Sequence, residues 1–386
     1  MPSRDTPLTY AEHLQLDRLL SCQKRQSVLH GRPAHDELLF IVVHQAYELW
    51  FKVILFELDR IQEVFAGPRA EDAGLGEAVH GVARIVEVQK LLIQQLDVLE
   101  TMTPMDFLDF RDLLVPASGF QSLQFRLIET RLGLRPAERV SFGDRPVDAV
   151  LGPEDRERLR AAEAVPSLSD QIEDWLERTP FIRAGDYNFG EVYRQAIVEM
   201  LEADAALLRD NPALSATELA SETEALAAAR RRFDSIFDEA RHRELLEEGA
   251  WRLSWRALQA ALFINLYRGE PVLQLPFRLL SGLMDIDETL TNWRYRHALM
   301  VQRMIGRKIG TGGSSGHDYL RQTAERHRVF GDLFTLSTFL IPRSRLPGLP
   351  EGLRHAMGYR YARDSGAPQA SGAQGSGAQG SDEERS

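Results

Sequence analysis

Apolar residues in this chain recur at intervals of three and four, and runs alternating in the two-residue period of a strand are absent at any useful length. Residues 35 to 66 place Phe40, Val43, Tyr47, Trp50 and Ile54 on one helical face. Residues 77 to 101 continue with Val82, Ile85, Val88, Leu92, Leu96 and Leu99. Residues 104 to 132 form a third segment, interrupted at Val115-Pro116-Ala117-Ser118-Gly119, where proline removes a helix hydrogen bond. From Pro136 to about Pro166 the pattern weakens, which predicts a connection with a short helix. Residues 191 to 246 are rich in Ala, Glu, Leu and Arg and predict a helix pair, its turn at Asp210-Asn211-Pro212. Strong periodicity returns over 251 to 268 and 276 to 309. The expected fold is all-α, one large domain of long bundled helices over residues 1–363. Residues 364–386, a Gly/Ser/Ala/Gln tail with a duplicated SGAQG, bury too little apolar surface to order themselves.

A length of 386 residues with 44% hydrophobic residues allows a sizeable core that can still enclose a ligand. The net charge of -11 argues against a nucleic-acid partner, which needs a basic face. Cys22 is the single cysteine, which excludes a disulfide framework and thiolate clusters and fits a reducing compartment. The opening MPSRDTPLTYAEHLQLD has no apolar signal core, and no run of about 18 apolar residues predicts a membrane span. A cytoplasmic protein that binds a small molecule is the expectation.

The stretch MDIDETLTNWRYRHALMVQRMIG spaces Ile286, Leu290, Trp293, His297, Met300 and Met304 by four, three, four, three and four. His297 therefore lies within a buried stripe. Such a histidine is either a hydrogen-bonded core residue or, as a neutral imidazole in an apolar pocket, an axial ligand to iron. The helix is expected to stop at Gly310, where GTGGSSG follows. That loop follows a helix and carries no lysine, so it is not a phosphate cradle. It reads as a C-cap and turn, or as a lid in which Thr311 meets a ligand.

In HDELLFIVVHQAYELWFK, His44 sits one turn after Phe40 and shares its face. The pair suits hydrogen bonding beside a planar ligand, or an ordinary core. Asp36 and Glu37 read as charges favoured at a helix N-terminus. In MDFLDFRDLLVPASGFQSLQFR, Phe107 and Arg111 share a face. Arg111, flanked by aromatic residues, could grip a carboxylate or pair with Asp106 or Asp109. Ser118 could meet a ligand or cap the next helix.

Together these three stretches, with RLSWRALQAALFINLYRGEP and LFTLSTFLIPR, resemble the tryptophan 2,3-dioxygenase family from about Leu8 to about Pro347. The resemblance implies an indoleamine/tryptophan dioxygenase-like helical domain holding one haem b per subunit, ferrous when active. It implies insertion of both atoms of O2 across the indole C2–C3 bond of L-tryptophan, or of a close indole amino acid, to give N-formyl-L-kynurenine. By position, His297 matches the iron ligand, His44 the distal histidine that hydrogen-bonds the indole N–H, and Phe40 the residue flanking the indole. Arg111 matches the carboxylate clamp, and Phe107 stands where some members have a tyrosine. Ser118 and Gly119 match positions at the haem edge, and Thr311 matches a threonine that engages the amino-acid end. The family is a homotetramer, a dimer of dimers, in which the N-terminal segment, here residues 1–20, reaches a neighbour's site. Tyr10 fits that segment, while His13 replaces a second tyrosine. Two other readings share these motifs: a monooxygenase that turns a substituted tryptophan into a 2-oxindole, and a haem sensor without catalysis.

Overall fold

The computed structural model describes residues 7–67, 72–140, 147–306 and 316–359. Thr311, most of the 310–316 loop and the 364–386 tail, to which the sequence assigns roles above, lie outside the described residues.

Three long helices carry the fold: Glu37–Phe65, Asp72–Leu99 and Gln274–Ile305. Helix 72–99 packs against both of the others. Two glycines permit the close approach. A Cβ on Gly282 would lie 2.5 Å from Val82 Cγ1, and one on Gly81 would lie 3.0 Å from Ile61 Cγ1. The interlocked faces, with Ile54, Leu58, Ile61, Val82, Ile85, Leu92, Leu283 and Ile286 almost wholly buried, anchor one apolar core that runs through most of the described residues. Among the described residues the only strands are Arg183–Ala184 and Tyr187–Asn188, a two-residue antiparallel ribbon, so the all-α expectation holds.

By length and composition alone, helix 37–65 could cross a membrane. In this fold its buried face, from Val43 to Phe65, is core, while Leu38, Val42, Leu49 and Phe56 are exposed on its other side.

The break expected in the third segment falls between Pro104–Arg111 and Leu123–Leu132. Thr103 and Asp106 form a capping box at the first of these, and Ser122 accepts from Phe125 N–H at the second. Between them lies a cis Val115–Pro116 bond. The weak region holds the short helix Pro153–Glu163.

Two expectations need correction. The 191–246 region forms three helices, Phe189–Arg209, Ala216–Ser235 and Glu239–Glu247. The second break carries neither Gly nor Pro; Asp238 starts the new helix by accepting from Arg241 N–H at 3.0 Å. The long C-terminal helix ends at Ile305, not at Gly310, because Gly306 caps it at φ 59°, a conformation open to glycine. Glu37 does open helix 37–65 as expected, and it is also fully buried: its carboxylate accepts the N–H groups of Gln26 (2.7 Å) and Ser27 (2.9 Å). It thereby satisfies amides that open the short helix Gln26–Leu29.

Candidate active site

Helices 37–65, 104–111 and 274–305, the end of helix 72–99, the 118–129 segment and Tyr319, Leu320 and Thr323 of helix 316–326 line a cavity of ≈ 290 Å³. The sequence-nominated residues Phe40, His44, Phe107, Arg111, Ser118, Gly119 and His297 all line it. Tyr10 does not; it is 75% exposed near the chain's start.

His44 reaches the cavity through helical spacing. Its ring lies 4.1 Å from that of Phe40, one turn earlier, and its Nδ1 is 2.7 Å from the Phe40 carbonyl. A carbonyl only accepts, so Nδ1 carries the proton and Nε2 of the neutral ring keeps its lone pair. The ring's accessible surface opens onto the cavity, yet protein crowds it. That desolvation holds its pKa below the ordinary imidazole value, with the Phe40 carbonyl and the Glu48 carboxylate opposing the shift. Phe40 in turn packs against Phe107 at 5.7 Å and edge-on to Phe110 at 5.6 Å. An aromatic wall therefore stands beside an imidazole acceptor.

His297 sits on another wall, 5.1 Å from Trp293. Burial, with a smaller contribution from repulsion by His44, depresses its pKa to about 4. It is a neutral imidazole at neutral pH, the form that binds a metal. Its Nδ1 is buried with no hydrogen-bond partner among the described residues.

Arg111 closes the helix 104–111 at the cavity's edge. Ser118 caps the turn Gly119–Gln121, with its Oγ accepting from Phe120 N–H at 3.4 Å, and still lines the cavity. A Cβ on Gly119 would meet nothing within 4 Å, so the backbone there borders open space.

The sequence reading missed a buried polar cluster in the cavity wall. Glu129 accepts from Arg126 Nη1 (2.7 Å) through one oxygen, and from Arg294 Nη2 (2.9 Å) and His327 Nδ1 (3.2 Å) through the other. Val140 N–H donates to His327 Nε2 at 3.0 Å, which places that ring's proton on Nδ1. Two guanidinium groups against one carboxylate leave this wall with an excess positive charge, and Arg126 Nε is buried without a partner among the described residues. Only the Arg126/Glu129 spacing of three gives a local sequence signal.

Such a cavity suits a planar and mostly apolar group with a metal at its centre: His297 supplies a neutral nitrogen and Arg126 a cation for an acidic edge. No group of three or more His, Cys, Asp or Glu side chains able to hold a bare metal ion occurs among the described residues. Fold and site together define a helical protein with an aromatic-walled cavity onto which two neutral imidazoles face. The sequence profile of tryptophan 2,3-dioxygenase matches residues 3–340. The chain is 49% identical over 355 residues to the tryptophan 2,3-dioxygenase of Bdellovibrio bacteriovorus, covering 92% of this chain and 99% of that one. It is 46% identical to that of Alteromonas mediterranea (92% and 98%) and 45% identical to that of Dictyostelium discoideum (92% and 88%). The chain belongs to the tryptophan 2,3-dioxygenase family.

Proposed function

We propose that this enzyme opens the indole ring of L-tryptophan, adding both atoms of O2 across C2–C3 to give N-formyl-L-kynurenine. The observation that carries the reading is two neutral imidazoles on one aromatic-walled cavity with a guanidinium at its edge, in a chain of this family. His297 would hold the iron of a haem b, Ser118 and Gly119 would border its edge, and Arg126 would face its carboxylates. The bound haem, in its ferrous state, supplies the iron chemistry that activates O2.

This chain's own residues do the rest. Phe40 and Phe107 flank the indole and exclude water from it. His44 Nε2 accepts the indole N–H, which fixes the ring's register; it holds that proton in place and need not remove it. Arg111 takes the substrate carboxylate in a charge-assisted pair. Thr311, outside the described residues, is proposed to meet the ammonium or carboxylate. Held at both ends, the C2–C3 edge is presented in one orientation, and this positioning is the protein's contribution to rate.

The active assembly is proposed to be a homotetramer, a dimer of dimers, with Tyr10 completing a neighbour's site. Supporting this, Leu8, Tyr10, Leu20 and Phe56 are each at least two-thirds exposed, apolar surface that a lone chain leaves in water. A cytoplasmic location is proposed with it; the long apolar helix 37–65 packs one face, from Val43 to Phe65, into the core.

Haem-loaded, reduced protein mixed with L-tryptophan in air should develop the N-formylkynurenine absorbance while consuming one O2 per tryptophan. Haem uptake with no turnover would refute the activity. His297→Ala should lose haem or its five-coordinate ferrous spectrum, and an unchanged spectrum would reject the ligand assignment.

A further inference from the structure

Tyr47 and Trp293 occupy the apolar stripes of their helices, yet both bring polar atoms into the interior. Tyr47 is 7% exposed. Its hydroxyl donates to the Leu92 carbonyl at 2.5 Å and accepts from Trp293 Nε1 at 3.4 Å. One oxygen thus links helices 37–65, 72–99 and 274–305. A phenylalanine would fill nearly the same volume without burying a hydroxyl, which is costly unless bonded. Burial pushes the Tyr47 pKa up to about 12, so the group remains a donor at neutral pH.

Trp293 is held on several sides. Its indole packs against Phe125 at 5.3 Å and edge-on to Tyr47 at 6.1 Å, and lies 5.1 Å from His297 at an interplanar angle of 33°. An axial histidine is ordinarily oriented by a carboxylate, carbonyl or water on its second nitrogen. Among the described residues no carboxylate or carbonyl reaches His297 Nδ1. The indole is the fixed surface against which that ring rests.

We propose that Tyr47 is a positioning residue for His297: its hydroxyl locks the Trp293 indole, and the indole sets the rotation of the iron-binding imidazole. This rests on His297 being the haem ligand.

The test uses haem-loaded wild type, Tyr47→Phe, Trp293→Phe and the double variant. The readouts are the rate of haem loss to excess apomyoglobin and the iron–histidine stretching band of the ferrous protein. Each single variant should lose haem about ten-fold faster, the lower end for residues behind a metal ligand, and should shift or broaden the band. The double variant should be no worse than the worse single, because the two residues act in series. Wild-type rate and band in Tyr47→Phe, or multiplying losses in the double variant, would overturn the clamp. Tyr47→Phe alone decides the matter if Trp293→Phe does not fold, since it deletes one hydroxyl and keeps the ring. A wild type that takes up no haem overturns both the clamp and the reading beneath it; a wild type that binds haem beside unaffected variants overturns the clamp alone.

Discussion

Removing the Glu129 carboxylate should be among the most damaging single changes in the molecule. Glu129 is 2% exposed and accepts three hydrogen bonds, two of them from guanidinium groups that are themselves 4% (Arg126) and 3% (Arg294) exposed. Glu129→Ala strands two buried cations, and breaking a buried pair in this way costs roughly 3–5 kcal/mol. A domain's whole stability is about 5–15 kcal/mol, so the loss is about a fifth of it or more. Glu129→Gln keeps the shape and one acceptor but turns an amide N–H toward an arginine, and should also destabilise by more than about 1 kcal/mol. The pH dependence carries a second signature. Burial alone would raise the Glu129 pKa; the Arg126 charge, the His327 hydrogen bond and the Arg294 charge outweigh it and hold the group well below the usual carboxylate range. A depressed folded pKa contributes stability that is present above the unfolded value, about 4.3, and lost as pH falls toward the folded one. Wild-type stability should therefore fall on acidification below about pH 5, and more steeply than that of Glu129→Gln. Equilibrium urea unfolding of haem-free protein between neutral pH and pH 4 reads both effects. A change below about 1 kcal/mol for Glu129→Ala, or parallel acid curves for wild type and Glu129→Gln, would refute the electrostatic account of this wall.

Arg111→Ala should raise KM for tryptophan while leaving haem binding intact, because losing a charge-assisted contact costs roughly 2–5 kcal/mol, at least thirty-fold in affinity; an unaltered KM rejects the clamp. His44→Ala should lower kcat/KM by roughly five-fold, as one neutral hydrogen bond is worth about 1 kcal/mol. It should also narrow the preference for tryptophan over its 1-methyl derivative, and an undiminished preference would deny that His44 reads the indole N–H. Gly282→Ala sets about 1 kcal/mol of helix propensity against a Cβ placed 2.5 Å from Val82 Cγ1. Overpacking at 1–3 kcal/mol should prevail, and Val82→Ala should restore stability if that contact is the cause.

Much of the site was legible because helical spacing is local. The spacings of four between Phe40 and His44, and between Phe107 and Arg111, put each pair on one face, and all four residues line the cavity. The stripe from Ile286 to Met304 likewise carried His297 inward. Spacing could not show which of these faces meets which. The family resemblance supplied the roles; periodicity alone left His297 as readily a core histidine.

What stayed hidden depends on distant partners. Glu129 and Arg294 are 165 positions apart, and Glu129 and His327 are 198 apart, so no window of sequence displays the cluster. Glu37 was legible as a charge at its helix N-terminus, but its partners, Gln26 and Ser27, lie on a separate turn of chain and stayed hidden. The break before Glu239 lacked Gly and Pro, and a lone Asp cap gives too weak a signal to divide an Ala- and Glu-rich run. Helix Leu168–Glu177 was within reach of the sequence, since Ser167 and Asp170 form a capping box ahead of Ile172 and Leu176.

The central claim is that the cavity positions an indole so that both oxygen atoms end on it. Turnover of L-tryptophan under 18O2, with the product read by mass spectrometry, tests it most directly. The account predicts N-formylkynurenine carrying two labelled atoms. A product that gains a single labelled oxygen, as a 2-oxindole would, contradicts it.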